Sequence, residues 1–397
     1  MLGKAGGELR KFNEDLWYRT MNTQETPDLI ITHCCIGMSD EALARLPSRD
    51  NIKRRIRMLR QDKKLPSSPN DPNFPNVPTA LTVTSCGDKF LRSDTGSGPD
   101  RTLIFASSKQ LDILQSCDDF LVDGTFKVVP EIFYQLYVVH AIYRGHVVPV
   151  VYSLLSRKNS DTYQRLINEI VEFAPCWFPG SILLDFEKAC INVYDSSFVN
   201  ISLSGCYVHF RQNFHRQLQA LGYQNRYQDV KFAHNINKIA ALAFIPPCDV
   251  LHAYSSLALH LDDDYQDILN YFEDTYIGRL RPNNIRRQPT FSIEFWNMRT
   301  RTTQLSTRTN NSVEAWHRHI GCIFQCAHPT LWSFLQKLIH EEHATHAVHI
   351  VHINSGETPK HKSKTNERFE RRLLNLLLHP HDDIVMQLNN IAHNICL

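Results

Sequence analysis

The sequence predicts an α/β protein whose sheet carries a polar site and whose core is interrupted by a helical insertion. Three observations lead there. Residues 119–129, 133–144 and 146–156 are apolar, β-branched runs separated by short turns. From residue 160 onward, helical and strand-like segments alternate. Two of the apolar runs, FLVDGTFKVVP (120–130) and SILLDFEKA (181–189), hold an aspartate where a charge would ordinarily be expelled.

In chain order, residues 1–40 have no assignable pattern. SRDNIKRRIRMLRQDK (48–63) reads as a helix, capped by Ser48, with Ile52, Ile56 and Leu59 on a narrow apolar stripe. Residues 65–78 are rich in Pro, Ser and Asn and read as a linker or extended loop. The three β runs form an antiparallel meander. A helix at 160–174, a fourth strand at 181–187, a helix near 188–194 and a fifth strand at 205–210 follow, the last leading into the helix RQNFHRQLQALG. Residues 225–300 read as helical with a break at Pro246–Pro247, and helices are expected from Thr309 to Phe324 and from near Pro329. The organisation expected is an N-terminal region over 1–100, a catalytic core over 101–224 and 301–350, a helical insertion over 225–300 between them, and a C-terminal tail over 351–397.

The bulk composition is that of a globular chain: 42% hydrophobic and 21% charged over 397 residues. No apolar run approaches the ~18–20 residues of a membrane span, so no membrane partner is expected. Eleven cysteines at irregular spacing point to a reducing compartment rather than a disulfide framework. Net charge is only +2, but it is unevenly spread. Nine basic and two acidic residues lie between Arg45 and Lys64, and seven arginines with one acid between Arg279 and Arg308. Such clusters can build a phosphate-binding surface on a nearly neutral chain. Arg54, Arg55, Arg57, Arg279, Arg281, Arg286, Arg287, Arg299 and Arg301 are the expected DNA-binding residues. Phe291, Phe295 and Trp296 lie among them, as stacking surfaces for unpaired bases or as core.

Asp123 and Asp185 on neighbouring strands could share one hard cation, because carboxylate oxygens suit Mg²⁺ or Mn²⁺. Glu314, in TRTNNSVEAWHRHIG, is the candidate third acid of a two-metal site for in-line attack at a phosphodiester. Taken singly, each acid has a bland reading: Asp123 as an edge or turn residue, Glu314 as a solvated helix residue.

DGTF at 123–126, LDFEKA at 184–189, CYVH at 206–209 and TNNSVEAWH at 309–317 occur in the order found in Mutator-like (MULE) transposases, which the chain resembles over roughly 100–350. With the order β-β-β-α-β-α-β-α, the resemblance implies a ribonuclease H-like catalytic domain. It implies catalytic, metal-holding roles for Asp123, Asp185 and Glu314. The separations, 62 residues and then 129, match a family in which a helical insertion precedes the glutamate. LPSRDNIKRRIRMLRQ (46–61) resembles the stretch before the catalytic domain in members carrying an N-terminal FLYWCH zinc finger. Residues 1–40 offer Cys34 and Cys35 but no C-x₂₋₄-C…H-x-H set of ligands, so no finger is expected there.

Cys206 and His209 match the family's C-x-x-H pair. They are half a zinc site, with His215, His317, His319, Cys322 and Cys326 as candidate partners, or else a polar anchor beside the active site. His340, His343, His346, His349 and His352 recur every three residues. On a helix this spacing drifts off any single face, so a polar helix is expected rather than a metal stripe. The functional expectation is a nuclear DDE transposase. It would use two Mg²⁺ or Mn²⁺ ions, with Zn²⁺ as a second metal if the Cys206/His209 site is real. It would act as a homo-oligomer on terminal inverted repeats and target DNA. The alternatives are a domesticated, catalytically silent DNA-binding or regulatory protein on the same fold, and a hydrolase of small phosphates, which leaves the basic segments unexplained.

Overall fold

The β-branched runs assemble into a seven-stranded mixed sheet in the computed structural model, which describes residues 4–23, 25–61, 65–324, 327–359 and 364–395. The strands are β1 (Leu91–Asp94), β2 (Thr102–Phe105), β3 (Asp119–Thr125), β4 (Gln135–Tyr143), β5 (His146–Leu155), β6 (Ser181–Leu184) and β7 (Ser202–Gly205). Their order is β1-β2-β5-β4-β3-β6-β7. β3, β4 and β5 form the expected antiparallel meander, while β6 joins β3, and β7 joins β6, in parallel. The parallel connections run through helices, as they must. β1 and β2, absent from the sequence-based expectation, extend the sheet beyond β5.

Helices follow in chain order: α1 (Lys4–Asn22), α2 (Pro27–Cys35), α3 (Asp40–Ala44), α4 (Arg49–Gln61), α5 (Ser108–Ser116), α6 (Ser160–Phe173), α7 (Lys188–Ser197), α8 (Tyr207–Ala220), α9 (Val230–Ala241), α10 (Val250–His260), α11 (Gln266–Phe272), α12 (Ile293–Trp296), α13 (Arg299–Thr303), α14 (Asn311–Phe324), α15 (Leu331–Ala344), α16 (Val351–Asn354), α17 (Lys364–Leu378) and α18 (Ile384–His393). Side chains alternate along β3. Phe120 and Val122 pack with Leu111, Leu166 and Tyr194 of α5, α6 and α7. Leu121 faces the other way, toward Val313 of α14. The sheet is therefore covered on both faces, and β4 reads as a near-continuous buried run for that reason.

The N-terminal residues that resisted assignment are helices around a small core of their own. Ile52 and Ile56 of α4 meet Phe12, Leu16, Ile30, Ile31 and Cys34 there. Ser48 caps α4 as expected, its Oγ accepting the Asn51 amide at 3.4 Å. Residues 65–78 are irregular, as expected, but pinned: the Trp332 indole donates to Ser67 O at 3.2 Å, and the Arg101 guanidinium binds the carbonyls of Pro72 and Phe74.

Two expectations are corrected. The fifth strand is Ser202–Gly205, not 205–210. Cys206 N still bonds Leu184 O at 2.8 Å, after which the chain turns into α8. Tyr207, Phe210, Phe214 and Leu218 recur at helical spacing and are buried together, and that burial outweighs the β propensity of Tyr-Val-His-Phe. The insertion, in turn, is not helical throughout. After α11 and a short π-helical turn, residues 278–292 leave the bundle, closed by a bridge between Leu280 and Arg286. The segment read as a tail packs back onto the insertion: Leu373, Leu377, Leu388 and Ile391 of the last two helices, with Ile395 just after them, share its core.

Gly205 ends β7 under Phe186 and Phe295. A Cβ there would lie 2.6 Å from the first ring and 2.8 Å from the second. Both rings are held by other aromatics and cannot swing away. Gly205→Ala is expected to cost roughly 1–3 kcal/mol, the usual effect of overpacking, read as a lowered midpoint in urea unfolding.

Candidate functional site

The two aspartates meet through strand register. β3 and β6 pair in parallel at Asp119–Ser181, Phe120–Ile182 and Leu121–Leu183, and β6 then ends. The same register carried two residues further sets Asp123 opposite Asp185, just where the ladder stops. Residues two apart share a face, so both follow Leu121 and Leu183 toward the side where Val313 and Cys206 pack. The pairing thus supplies what a buried strand could not, an open end for a charge.

Asp123 is 11% exposed. Its Oδ1 accepts the Gly124 amide at 2.8 Å, and its Oδ2 accepts Asn310 Nδ2 at 3.0 Å. Burial raises its carboxyl to about 6; the charge of His209 and the Gly124 amide pull it down, while the carboxylates of Asp185 and Glu314 push it further up. Asp185 is more open, 40% exposed, with Oδ1 on its own Phe186 amide at 2.5 Å and His209 Nδ1 at 3.6 Å. Glu314 stands in the first turn of α14, its amide on Asn310 O at 2.8 Å. Val313, Ile320 and Phe324 bury the inner face of that helix, and the Trp316 indole is tied to Glu341 at 3.0 Å. The three acids therefore share one electrostatic neighbourhood.

Sequence reasoning named His317 only as a candidate zinc partner and missed other neighbours. His317, three residues after Glu314, brings Nδ1 to 3.7 Å from Asp123 Oδ2. Burial pushes its pKa down to about 4, so at neutral pH this approach is not an ion pair. A cleft of about 40 Å³ opens between Asp123 and Asp185, also lined by Gln135, Lys158, Tyr163 and Glu187. Glu187 accepts from Tyr163 Oη at 2.8 Å and pairs with Lys158 at 3.1 Å. Its position two residues after Asp185 was the available signal. Gly124 makes room for Gln135, whose Oε1 would lie 2.5 Å from an added Cβ.

Among the described residues, no three His, Cys, Asp or Glu side chains stand close enough to hold a metal ion as placed. The donor chemistry of Asp123, Asp185 and Glu314 nonetheless fits a hard divalent cation: all offer carboxylate oxygens, and the raised pKa of Asp123 reports the crowding of negative charge that a cation relieves. The Cys206/His209 pair does not fit zinc in the same way. Burial pushes the Cys206 thiol up to about 12, and it is bonded to Asn310, whereas zinc needs a thiolate. No further ligand joins the pair among the described residues, and Cys326 lies outside them. The histidines at 340, 343, 346 and 352 gather no metal set either; the side chain of His349 lies outside the described residues.

The arginines divide. Arg286 binds Glu273 and Gly278 O, both at 2.7 Å. Arg299 caps α17 at Leu377 O, 2.9 Å, and Arg301 holds Thr307 O at 2.8 Å. These three brace the fold. Arg281 and Arg287 are exposed on the excursion from the bundle, and Arg279 is exposed while paired with Asp274 at 2.7 Å. Arg54, Arg55 and Arg57 are exposed on α4, where Arg55 meets Asn13 at 2.6 Å. Phe295 and Trp296 are core, not base-stacking surfaces; Phe291 is half-buried against Phe186, the residue after Asp185.

Residues 120–213 match the family model of the MULE transposase domain. Over that span the chain is similar to the MULE transposase domain. The matched span includes Asp123, Asp185, Cys206 and His209, while Glu314 lies beyond it. No curated protein matches the chain. Among the described residues, no helix is long and apolar enough to cross a membrane.

The raised Asp123 carboxyl has a sign that can be checked. Its folded-state pKa, about 6, exceeds the ordinary 3.8. Protonation therefore favours the folded chain: the contribution is full below about pH 4 and is lost as pH rises through about 6. Asp123→Asn is expected to be more stable than the parent at pH 7.5 without divalent metal, by on the order of 2 kcal/mol, with the gap closing at pH 4. Denaturant unfolding at both pH values measures it; an equal gap at both would contradict the assignment.

Proposed function

We propose that the chain is a MULE-type DDE transposase, or a derivative of one, that cleaves and joins DNA phosphodiester bonds on a ribonuclease H-like core. The observation that carries the reading is the register of β3 with β6, which sets Asp123 opposite Asp185 at the open end of the pair, on the face from which α14 brings Glu314. The strand order β5-β4-β3-β6-β7, with two antiparallel pairings followed by two parallel ones, supports the ribonuclease H-like core. Asp123, Asp185 and Glu314 would hold two Mg²⁺ or Mn²⁺ ions. Such ions, when bound, supply activation of an attacking water or 3′-hydroxyl and charge stabilisation at the leaving oxygen.

The protein's own part is placement and charge. The Gly124 amide and Asn310 fix the two oxygens of Asp123. His317, neutral at neutral pH, lies beside that carboxylate without adding a competing positive charge. The exposed Arg281 and Arg287, with Arg54, Arg55 and Arg57 on α4, provide cations for phosphate oxygens. The partners proposed are terminal inverted repeats and target DNA, bound in the nucleus by a homo-oligomer. A second reading, a domesticated DNA-binding protein without chemistry, is favoured by one observation: the acids do not gather as a metal set as placed.

With Mn²⁺ and labelled terminal-repeat duplexes, Asp123→Ala, Asp185→Ala and Glu314→Ala are each expected to lower strand cleavage at least 100-fold while leaving DNA retention within about twofold. Cleavage by Asp123→Ala at the parental rate would sink the catalytic reading. DNA binding by the parent without Mn²⁺-dependent nicking would favour the second. Replacing Arg54, Arg55 and Arg57 together with Ala is expected to flatten the slope of log affinity against log salt by about 0.9 for each phosphate no longer neutralised, measured by fluorescence anisotropy across a salt series.

A further inference from the structure

Asn310 is 3% exposed and spans two parts of the site. Its Nδ2 donates to Asp123 Oδ2 at 3.0 Å, and its Oδ1 accepts from the Cys206 thiol at 3.0 Å. Its backbone amide also points at Cys206 Sγ, 3.3 Å away. The chemistry fixes which end of the amide is which. A carboxylate only accepts, so the NH₂ faces Asp123. A thiol kept protonated by burial can donate, so the oxygen faces Cys206. The backbone carbonyl of the same residue accepts the Glu314 amide at 2.8 Å and so opens the helix that carries the third acid. The loop leading to it is itself tied down: Tyr207 N bonds Arg308 O at 3.1 Å, and Arg301 holds Thr307 O at 2.8 Å.

We propose that Asn310 is a positioning residue that couples two of the acids, its side chain aiming Asp123 and its backbone seating Glu314, and that Cys206 is the brace that holds Asn310. The inference rests on the reading of Asp123 as a cation-holding acid. It gives the Cys206 position a purpose without zinc. With Oδ1 on Gly124 and Oδ2 on Asn310, the Asp123 carboxylate cannot rotate, yet each oxygen keeps lone-pair capacity for a further partner. Asn310 would thus act as an outer-sphere partner does in metal sites, orienting a ligand without touching the ion.

The test uses the full chain and Mn²⁺ alone, followed through the electron paramagnetic resonance signal of the free ion, with thermal unfolding in parallel. Asp123→Asn is expected to abolish the binding. Asn310→Ala is expected to weaken it about tenfold or more, the usual effect of removing an outer-sphere partner. Cys206→Ala, which touches no acid, is expected to weaken it in the same direction, and Cys206→Ser, which restores a donor to Asn310, to recover most of the loss. Because the two residues act in series, the Asn310→Ala/Cys206→Ala double variant should bind no more weakly than Asn310→Ala alone. Parental affinity in both Asn310→Ala and Cys206→Ala, with loss in Asp123→Asn, overturns the positioning role and leaves the reading of Asp123 standing. Parental affinity in Asp123→Asn overturns that reading and this inference with it. Should Asn310→Ala not fold, the Cys206 pair decides: a weaker Ala variant rescued by Ser supports the brace, and equal affinities refute it.

Discussion

The short parallel ladder between β3 and β6 is the constraint on which the site depends. Three residue pairs suffice to set register, and register is unforgiving, because a slip of one residue would send Asp123 to the opposite face from Asp185. The ladder also stops at the right place. Had β6 run two residues longer, Asp185 would be enclosed as Leu183 is, and two facing carboxylates in a dry sheet would be prohibitive. The apolar residues of both strands and the charge at their ends are thus one arrangement: the buried part provides the alignment that the exposed part uses.

A second consequence of that alignment is electrostatic. Asp185 and Glu314 both add to the negative field at Asp123, and Lys158, the lysine lining the cleft, is engaged by Glu187. The site is left short of positive charge at the point where the acids meet. The sequence's most basic segments do not remedy this locally. Much of the arginine-rich stretch holds carbonyls of its own fold, and the free guanidinium groups lie on the excursion after α11 and on α4.

The two aspartates, the meander and the helices after it could be read directly, because each rests on local pattern: an aspartate interrupting an apolar run, or period-two alternation giving way to helical spacing; Glu314 was reached through the resemblance of its motif. Elsewhere, non-local packing decided. Tyr-Val-His-Phe looks like a strand until Phe214 and Leu218 show that its aromatics continue a buried helical stripe. β1 and β2 are four residues each and have meaning only as additions to β5. Arg299 and Arg301 resemble their exposed neighbours in sequence, and only the carbonyls they meet distinguish them. Asn310 was visible as part of a motif, but that its amide would reach Asp123, 187 residues earlier, required the fold.

The packing of α17 and α18 into the insertion has a bearing on how the chain is made. Glu314 and Asn310 lie beyond the insertion, and the hydrophobic core of the insertion includes Ile391 and Ile395. During synthesis from the N-terminus, the sheet up to β7 can assemble early, since its strands come from residues 91–205. The bundle that separates the second acid from the third cannot close fully until Leu388, Ile391 and Ile395 have left the ribosome. Until then its apolar face is open, a long-range closure of the kind that slows folding and invites misassembly. The carboxylate cluster therefore comes together only after the sheet that holds two of its members has been made.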